Sequence, residues 1–148
     1  MTIDDSELFH GELQYERRIV IFFDTLGWRN QIQLAGDDPR KIARLASVPR
    51  MFCKRVTDMA GRSEGVHISS FSDNVVVSVP CDQYSVLPLL EALATIQLGL
   101  AMHGFWVRGA VTIGDLYHDA EIVFGPALNQ AYELESREAI YSRAILDP

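Results

Sequence analysis

The chain has 148 residues, of which 48% are hydrophobic and 22% charged, and its net charge is −7. This composition is ordinary for a soluble globular protein, and the length is enough for one domain with a real core. No apolar run approaches the roughly 20 residues needed to cross a bilayer, and the negative charge argues against a nucleic-acid partner. We therefore expect a single domain over residues 1–148, with no membrane and no nucleic acid among its partners.

Two features of the sequence indicate a cytoplasmic protein. Cys53 and Cys81 have no metal-ligand spacing, and we interpret them as reduced thiols. The first residues are acidic and unlike a signal peptide, and residues 1–15 predict an irregular lead-in.

The first predicted strand covers Arg17–Asp24 and contains five consecutive apolar residues, Ile19–Phe23. Its β-branched and aromatic side chains suit a strand that is buried on both faces. A carboxylate at the end of such a strand needs a partner, because burying an unpaired charge is costly. Asp24 therefore either caps the helix that follows, or holds a hard cation beside N–H groups that bind phosphate.

The remaining elements are predicted from periodicity, turn residues and helix signals. They are, in chain order, a helix over Leu26–Leu34; a helix over Arg40–Met59 that Pro49 kinks or divides; a hairpin over His67–Val79 turning at Asp73-Asn74; a helix over 83–103; a strand over Trp106–Ile113 ending at Gly114-Asp115; a hairpin over Leu116–Phe124 turning at His118-Asp119; a helix over Ala127–Glu138; and a strand over Ala144–Leu146. This order predicts an α+β fold, a sheet with helices on one face. Its specific form is a ferredoxin-like βααββαβ core with an extra hairpin.

Two acids far apart in the chain are expected to meet in that fold. The end of the first strand and the tip of the first hairpin lie at the same edge of a ferredoxin-like sheet, which brings Asp24 beside Asp73. Adjacent carboxylates repel unless something neutralises them, and a pair of Mg²⁺ or Mn²⁺ ions about 3.5–4 Å apart does so. The alternative for Asp73 is a simple turn residue, since Asp-Asn is a common turn dipeptide.

Four segments in order resemble the motifs of class III nucleotidyl cyclases, and the likeness extends from about residue 17 to 147. Residues 23–28, FDTLGW, are similar to the first metal motif, and residues 71–77, FSDNVVV, to the second. Residues 108–114, RGAVTIG, are similar to a strand that ends in glycine. Residues 125–136, GPALNQAYELES, resemble the helix that carries a catalytic asparagine, here Asn129.

The sequence differs from that pattern at the residues that recognise the base and at the arginine that stabilises the transition state. Ser69 stands where purine-using members have a lysine, and Ile122 stands where they have a base-reading aspartate. Glu133 occupies the position of the transition-state arginine. This combination resembles the bacterial pyrimidine cyclases of antiphage Pycsar systems, which make cyclic UMP or cyclic CMP. Overall likeness favours UTP, although no single residue decides between uracil and cytosine.

The resemblance implies a complete active site. The implied ligands of two Mg²⁺ or Mn²⁺ ions are the carboxylates of Asp24 and Asp73 and the backbone carbonyl of Thr25. The implied triphosphate contacts are the N–H groups of Leu26, Gly27 and Trp28 and the side chain of Arg29. Asn129 would hold the ribose, and Ser69 would lie at the base. Such sites are shared between two subunits, so the resemblance also implies a homodimer.

Three arginines are candidates for the missing transition-state charge. They are Arg29, Arg108 and Arg137; Arg29 suits a triphosphate clamp, whereas Arg108 could equally form a structural ion pair. A slow enzyme that a partner or infection switches on is a further possibility.

Two other functions stay open at this point. One is a divergent adenylate or guanylate cyclase, and the other is an inactive cyclase-like domain that binds a nucleotide or a partner and regulates something. Glu133 favours the inactive domain, whereas the retention of both acids opposes it. We expect His118 to face solvent in its turn, and Asp115 to be a turn residue rather than a third metal acid.

Overall fold

A computed structural model of the protein describes residues 11–60, 65–82 and 86–148. The strands in this part of the chain are β1 (Glu16–Thr25), β2 (His67–Phe71), β3 (Asn74–Pro80), β4 (Val107–His118), β5 (Val123–Phe124) and β6 (Ala144–Leu146). The helices are α1 (Trp28–Ala35), α2 (Pro39–Ala60), α3 (Val86–Met102) and α4 (Pro126–Glu138). Their order and types are those predicted, except that β4 is one strand where the sequence predicted a strand and the first half of a separate hairpin. Pro49 does not divide α2.

The ferredoxin-like arrangement is confirmed by the sheet. Its strand order is β2-β3-β1-β4-β5, with β6 paired in parallel to β4. The central strand β1 pairs antiparallel with β3 on one side and with β4 on the other. At the end of β1, Asp24 lies opposite Asn74 of β3 and Arg108 of β4. This register places the last residues of β1 beside the tip of the β2–β3 hairpin.

Helices cover both faces of the sheet, so the prediction of helices on one face is wrong. Ile19, Ile21 and Phe23 pack into a core with α2 and α3. Val20 and Phe22 point the other way and pack against α4. Alternate side chains of a strand face opposite sides, and in β1 both sides are apolar. A sheet covered on one face only would leave half of this strand in water, and burial of apolar surface is what stabilises the fold.

The β2–β3 hairpin turns at Ser72-Asp73, one residue earlier than predicted. Asn74 is already the first residue of β3 and pairs with Phe71. Ser72 has a φ of 56°, the positive sign that a two-residue hairpin turn needs at its first central position. Asp73 therefore occupies the second central position of the turn, next to the end of β1.

Strand β4 continues past the predicted stop at Gly114-Asp115. Gly114 still pairs with Arg18 of β1. A Cβ at Gly114 would lie 3.3 Å from the Cβ of Ala127, so the missing side chain allows α4 to pack closely on the sheet rather than making a turn.

The second hairpin consequently turns later than predicted, after His118. The Asp119 N–H donates to the Ile122 carbonyl, and the Asp119 carboxylate accepts the N–H groups of Glu121 and Ile122. Residues 11–15 are irregular, as predicted, whereas residues 1–10 and the first turn of the predicted 83–103 helix lie outside the described residues. No helix in the described ranges is both long and apolar enough to span a bilayer.

Candidate active site

The carboxyl groups of Asp24 and Asp73 lie within hydrogen-bonding reach of each other at the edge of the sheet. The Thr25 N–H donates to the Asp73 carbonyl over 3.0 Å, which ties the turn to the end of β1. Burial, and then the neighbouring Asp73 carboxylate, raise the pKa of Asp24 to about 6. The two acids thus form the close pair that the fold predicts, and their mutual repulsion is visible in the pKa of Asp24.

Arg108 joins this pair to a third acid that the sequence did not reveal. Its Nε lies 3.2 Å from Asp24 Oδ2 and also forms an ion pair with Glu135 Oε1. Glu135 is only 2% exposed, and Ser136 Oγ donates to its other oxygen over 3.1 Å. Arg108 lowers the pKa of Asp24, whereas the Glu135 charge raises it. Arg108 therefore forms an ion pair, as its alternative assignment predicted, and its catalytic role stays a prediction.

Glu135 could have been found from helical spacing. Ala127, Ala131 and Glu135 recur every four residues and are the buried residues of α4, so they share one helix face. A glutamate on an apolar stripe needs a cation on the facing element, and Arg108 of β4 supplies it.

A cavity of about 320 Å³ opens beside Asp73. Trp28, Arg29, Ser72 and Asp73 are among its lining residues. The cavity therefore combines the start of α1, a cationic side chain and one of the paired acids. Backbone N–H groups at a helix start and a nearby guanidinium are groups that bind phosphate.

The backbone before α1 supports only part of the predicted phosphate contact. The Leu26 N–H donates to the Trp106 carbonyl over 2.8 Å, so this group is already paired. Gly27 has a φ of 71°, in the left-handed region that favours glycine. A Cβ at Gly27 would meet no protein atom within 4 Å. The reason for a glycine at this position is therefore its left-handed backbone conformation, not a lack of space for a side chain. The N–H groups of Gly27 and Trp28 remain the predicted phosphate donors.

The carboxylate pair fits a divalent cation. Hard cations prefer carboxylate and carbonyl oxygens, and a positive charge would favour the ionised form of Asp24. No group of three or more His, Cys, Asp or Glu that could hold a metal occurs among the described residues. The pair therefore suits an ion such as Mg²⁺, which usually keeps several ligands from water or phosphate.

Other predicted site residues lie apart from this pair. Asn129 and Glu133 are exposed on α4, and Arg137 is exposed in its last turn. Within the described residues, no side-chain contact joins Asn129 to Asp24 or Asp73. The catalytic role predicted for Asn129 thus requires a ligand or another chain between them.

Ser69 belongs to a second polar cluster, together with a buried histidine. His118 is 7% exposed, so the expectation that it faces solvent is wrong. Its ring nitrogens lie 2.9 Å from Ser69 Oγ and 2.8 Å from Ser78 Oγ. Burial, followed by the charges of His67 and Arg18, lowers the pKa of His118 to about 4. His118 follows Leu116 by two residues on β4, and this alternation would have placed both on the buried face.

Solved structures that resemble this arrangement of strands and helices include nucleotide cyclases. The chain is similar to a bacterial light-regulated adenylyl cyclase, with a TM-score of 0.67 and 15% identity over 90% of this chain and 77% of that chain. It is similar to the guanylate cyclase domain of RhGC from Catenaria anguillulae in complex with GTP, with a TM-score of 0.61 and 14% identity over 90% and 80%. It is also similar to the adenylyl cyclase CyaB from P. aeruginosa, with a TM-score of 0.56 and 17% identity over 91% and 79%. The chain has the fold of class III cyclase catalytic domains.

No protein-family model and no curated protein matches the sequence. At identities of 14% to 17%, the likeness establishes the cyclase fold alone. Substrate and activity therefore have to be argued from the residues placed on that fold.

Removing the buried acid of the cyclase fold should destabilise it strongly. In Glu135→Ala, Arg108 keeps Asp24 but loses its buried partner, and loss of one charged hydrogen bond costs about 2 kcal/mol. Glu133→Ala is the matched control, because Glu133 is exposed on the same helix. Urea unfolding of both variants measures the difference, and equal midpoints would show that the Arg108–Glu135 pair does not support the fold.

His118 should make the stability of the cyclase fold depend on pH. Its folded pKa of about 4 lies below the ordinary histidine value of 6.5, so the unfolded chain takes up a proton first as the pH falls. The contribution of His118 to the free energy of unfolding is complete above about pH 6.5 and declines towards pH 4. The loss between pH 7 and pH 5 is on the order of 2 kcal/mol. Asp24 has a raised pKa and acts in the opposite direction below pH 6.

Urea unfolding at pH 7 and pH 5 isolates the histidine when wild type is compared with His118→Gln, because Asp24 titrates in both proteins. We expect the wild type to lose more stability on acidification than the variant. The same loss in both would mean that His118 is not held neutral.

Proposed function

We propose that the protein is a pyrimidine nucleotide cyclase that converts UTP, or CTP, to the 3′,5′-cyclic nucleotide and pyrophosphate. The observation that carries the proposal is the pair of carboxyl groups, Asp24 and Asp73, beside a cavity of about 320 Å³ in a cyclase fold. The resemblance to Pycsar enzymes supports an antiphage signalling role for the product.

The reaction needs the ribose 3′-oxygen to attack the α-phosphorus while the bond to the β-phosphate oxygen breaks. Asp24, Asp73 and the Thr25 carbonyl would hold two Mg²⁺ or Mn²⁺ ions. Bound there, the ions supply charge that lowers the pKa of the 3′-hydroxyl and neutralises the triphosphate.

The protein's own groups position the triphosphate. Arg29 lines the cavity beside Asp73, where its guanidinium can pair with phosphate oxygens. The N–H groups of Gly27 and Trp28 lie at the start of α1, where the helix dipole favours an anion. Arg108 is half-buried and contacts Asp24, so its charge would lie near a phosphate bound at the carboxylate pair and would help to stabilise the charge that develops there.

The residues at the base positions support a pyrimidine. Ser69 and Ile122 replace the lysine and the aspartate that the resemblance associates with purines. Ile122 is exposed and has no polar side-chain group, so it cannot read a purine amino or carbonyl group by hydrogen bonding.

A homodimer would complete the site. Asn129 and Tyr132 are both exposed on α4, and Tyr132 packs edge-on against Phe22. A second copy of the chain would bury this aromatic surface and bring its Asn129 to the ribose held by the carboxylate pair. Two symmetric sites follow from a two-fold dimer.

Incubation with each of the four nucleoside triphosphates and Mn²⁺, followed by chromatography, tests the proposal. Cyclic UMP or cyclic CMP is the expected product. Cyclic AMP or cyclic GMP would identify a divergent purine cyclase instead, and no product from any of the four would contradict a cyclase function.

A regulatory domain without catalysis is the second candidate. The observation that favours it is Glu133, an exposed acid at the implied position of the transition-state arginine, combined with the engagement of Arg108 by two carboxylates. It predicts nucleotide binding by calorimetry without turnover.

A further inference from the structure

Positive charge is concentrated in one helix of this acidic chain. Six of the 13 Lys and Arg residues, but only one of the 20 Asp and Glu residues, belong to α2. This helix therefore has a charge of +5, although the net charge of the chain is −7. The six cationic side chains are all exposed, and they are Arg40, Lys41, Arg44, Arg50, Lys54 and Arg55. An asymmetric field of this kind attracts an anionic partner to one side of the molecule.

Helical spacing places free charges on the outer side of α2. Phe52 and Val56 are buried and mark the inner side of the helix, whereas Arg40 and Arg50 are exposed on the outer side. Neither arginine side chain forms a hydrogen bond or an ion pair with another residue in the described ranges. The one acid of this helix, Asp58, already pairs with a lysine of α2. The outer side of α2 therefore presents positive charge that the described residues do not neutralise.

The neighbouring helix α3 is apolar on its outer side as well as on its inner side. Its buried residues are Leu89, Leu93, Ile96 and Leu100. On the opposite side, Leu98 is 64% exposed and Met102 is 77% exposed. Glu91 is the one charged residue among the 17 residues of this helix. A helix that is apolar on both sides is typical of one that is covered on both sides.

The cationic surface of α2 and the apolar surface of α3 are continuous. Arg44 donates to the carbonyl of His103, the residue that follows Met102. An added Cβ at Gly99 would lie 3.4 Å from Met51 Sδ, so the two helices pack closely along this line. Guanidinium groups and exposed apolar side chains therefore adjoin on one side of the molecule.

We propose that a docking face formed by Arg40, Arg44, Arg50, Leu98 and Met102 binds the surface of a membrane that contains anionic lipids. The arginines would pair with lipid phosphate and carboxylate groups. The two apolar side chains would enter the boundary between the headgroups and the acyl chains. A bilayer supplies negative charge and apolar surface in one plane, and it adapts to the convex outside of a helix pair without a complementary shape. These properties favour a membrane over a protein partner.

This mode of binding differs from the one that the sequence argues against. We expected no membrane partner because no segment is long enough to span a bilayer, whereas helices that rest on the surface need no such segment. α4 packs on the opposite side of the sheet from α2 and α3, so a dimer formed through α4 would leave the docking face accessible. The inference does not depend on cyclase activity.

Cosedimentation of the wild-type protein with lipid vesicles tests the proposal. We expect binding to vesicles of equal parts phosphatidylcholine and phosphatidylserine, little binding to phosphatidylcholine alone, and release at high salt, because salt screens the arginines. Absence of binding to the anionic vesicles, or equal binding to both kinds of vesicle, would overturn the proposal.

A pair of variants with the same net charge locates the contact. Arg40→Gln combined with Arg50→Gln should weaken binding to the anionic vesicles about 25-fold, at about fivefold for each charge removed near the surface. Arg137→Gln combined with Arg143→Gln is the matched control, because both arginines are exposed and lie outside α2 and α3. Equal losses in the two double variants would mean that only the overall charge matters, which contradicts a docking face.

The apolar part of the docking face is tested separately. Leu98→Gln should weaken binding about tenfold, since an inserted leucine loses its contact with water on docking. Ile140→Gln is the control, because Ile140 is 69% exposed and lies after α4. Urea unfolding verifies that each variant is folded, and an unchanged affinity in a folded Leu98→Gln protein would contradict insertion.

Sedimentation velocity distinguishes a membrane from a second copy of the chain as the partner. We expect the Arg40→Gln, Arg50→Gln protein to have the same oligomeric state as the wild type. A change in that state would show that the docking face joins two copies of the chain and would overturn the membrane proposal.

Discussion

Asp73→Asn should reduce cyclic nucleotide formation at least about a thousandfold, because the bound ions would lose one of two carboxylates and with it most of the charge that drives the displacement. Asparagine has nearly the same shape and keeps the main-chain carbonyl that accepts the Thr25 N–H. The fold should therefore persist, and loss of the carboxylate repulsion should let the pKa of Asp24 fall. Product chromatography, Mn²⁺ binding and urea unfolding together separate lost chemistry from lost structure.

Asp115→Asn is the control for this result. Asp115 is an exposed acid on β4, at the opposite end of the sheet from Asp24, so its removal should change neither turnover nor Mn²⁺ affinity. Retained activity in Asp73→Asn would rule out the proposed metal ligands.

Mixing two inactive variants should restore activity if the site is shared between subunits. Asp24→Ala lacks one metal ligand, and Asn129→Ala lacks the ribose contact. A heterodimer of the two has one site with both defects and one site with neither. After random reassociation of equal amounts, about a quarter of the wild-type activity should return, as expected for a two-fold dimer with two sites.

The control is a mixture of Asp24→Ala with Asp73→Ala, whose defects lie on the same side of a shared site. Every site in that mixture lacks a metal ligand, so no activity should return. Equal results for the two mixtures would exclude a composite site. Size-exclusion chromatography of each mixture verifies that dimers form.

The sequence predicted the sheet because its strongest signals are local. The apolar run of β1 and the hairpin after it determine which strands neighbour each other, and this places Asp24 beside Asp73. The ends of the elements were less predictable. Gly114 suggests the end of a strand in the sequence, whereas in the structure it lies within β4 and allows α4 to pack closely. The metal and nucleotide roles of these residues remain predictions.

Glu135 and His118 show how local patterns can indicate burial without naming the partner. A glutamate in a helix and a histidine before an aspartate are most often exposed. Both are buried here because a partner from a distant segment meets them, Arg108 in one case and Ser78 in the other. Helical spacing and strand alternation could have indicated that both side chains are buried, but the identity of each partner depends on the tertiary register, which short-range patterns do not encode.

The central position of β1 has a consequence for how the molecule folds. Asp24 and its partner Arg108 are separated by 84 residues in the chain, and β1 acquires both neighbours only after β3 and β4 have been added. Pairings across such distances are slow, because a long loop must close before the contact forms. The backbone N–H groups around Asp24 and Arg108 should therefore be among the last to be protected from hydrogen exchange in a pulse-labelled refolding experiment. A ribosome-bound chain that ends before β4 cannot yet form this contact.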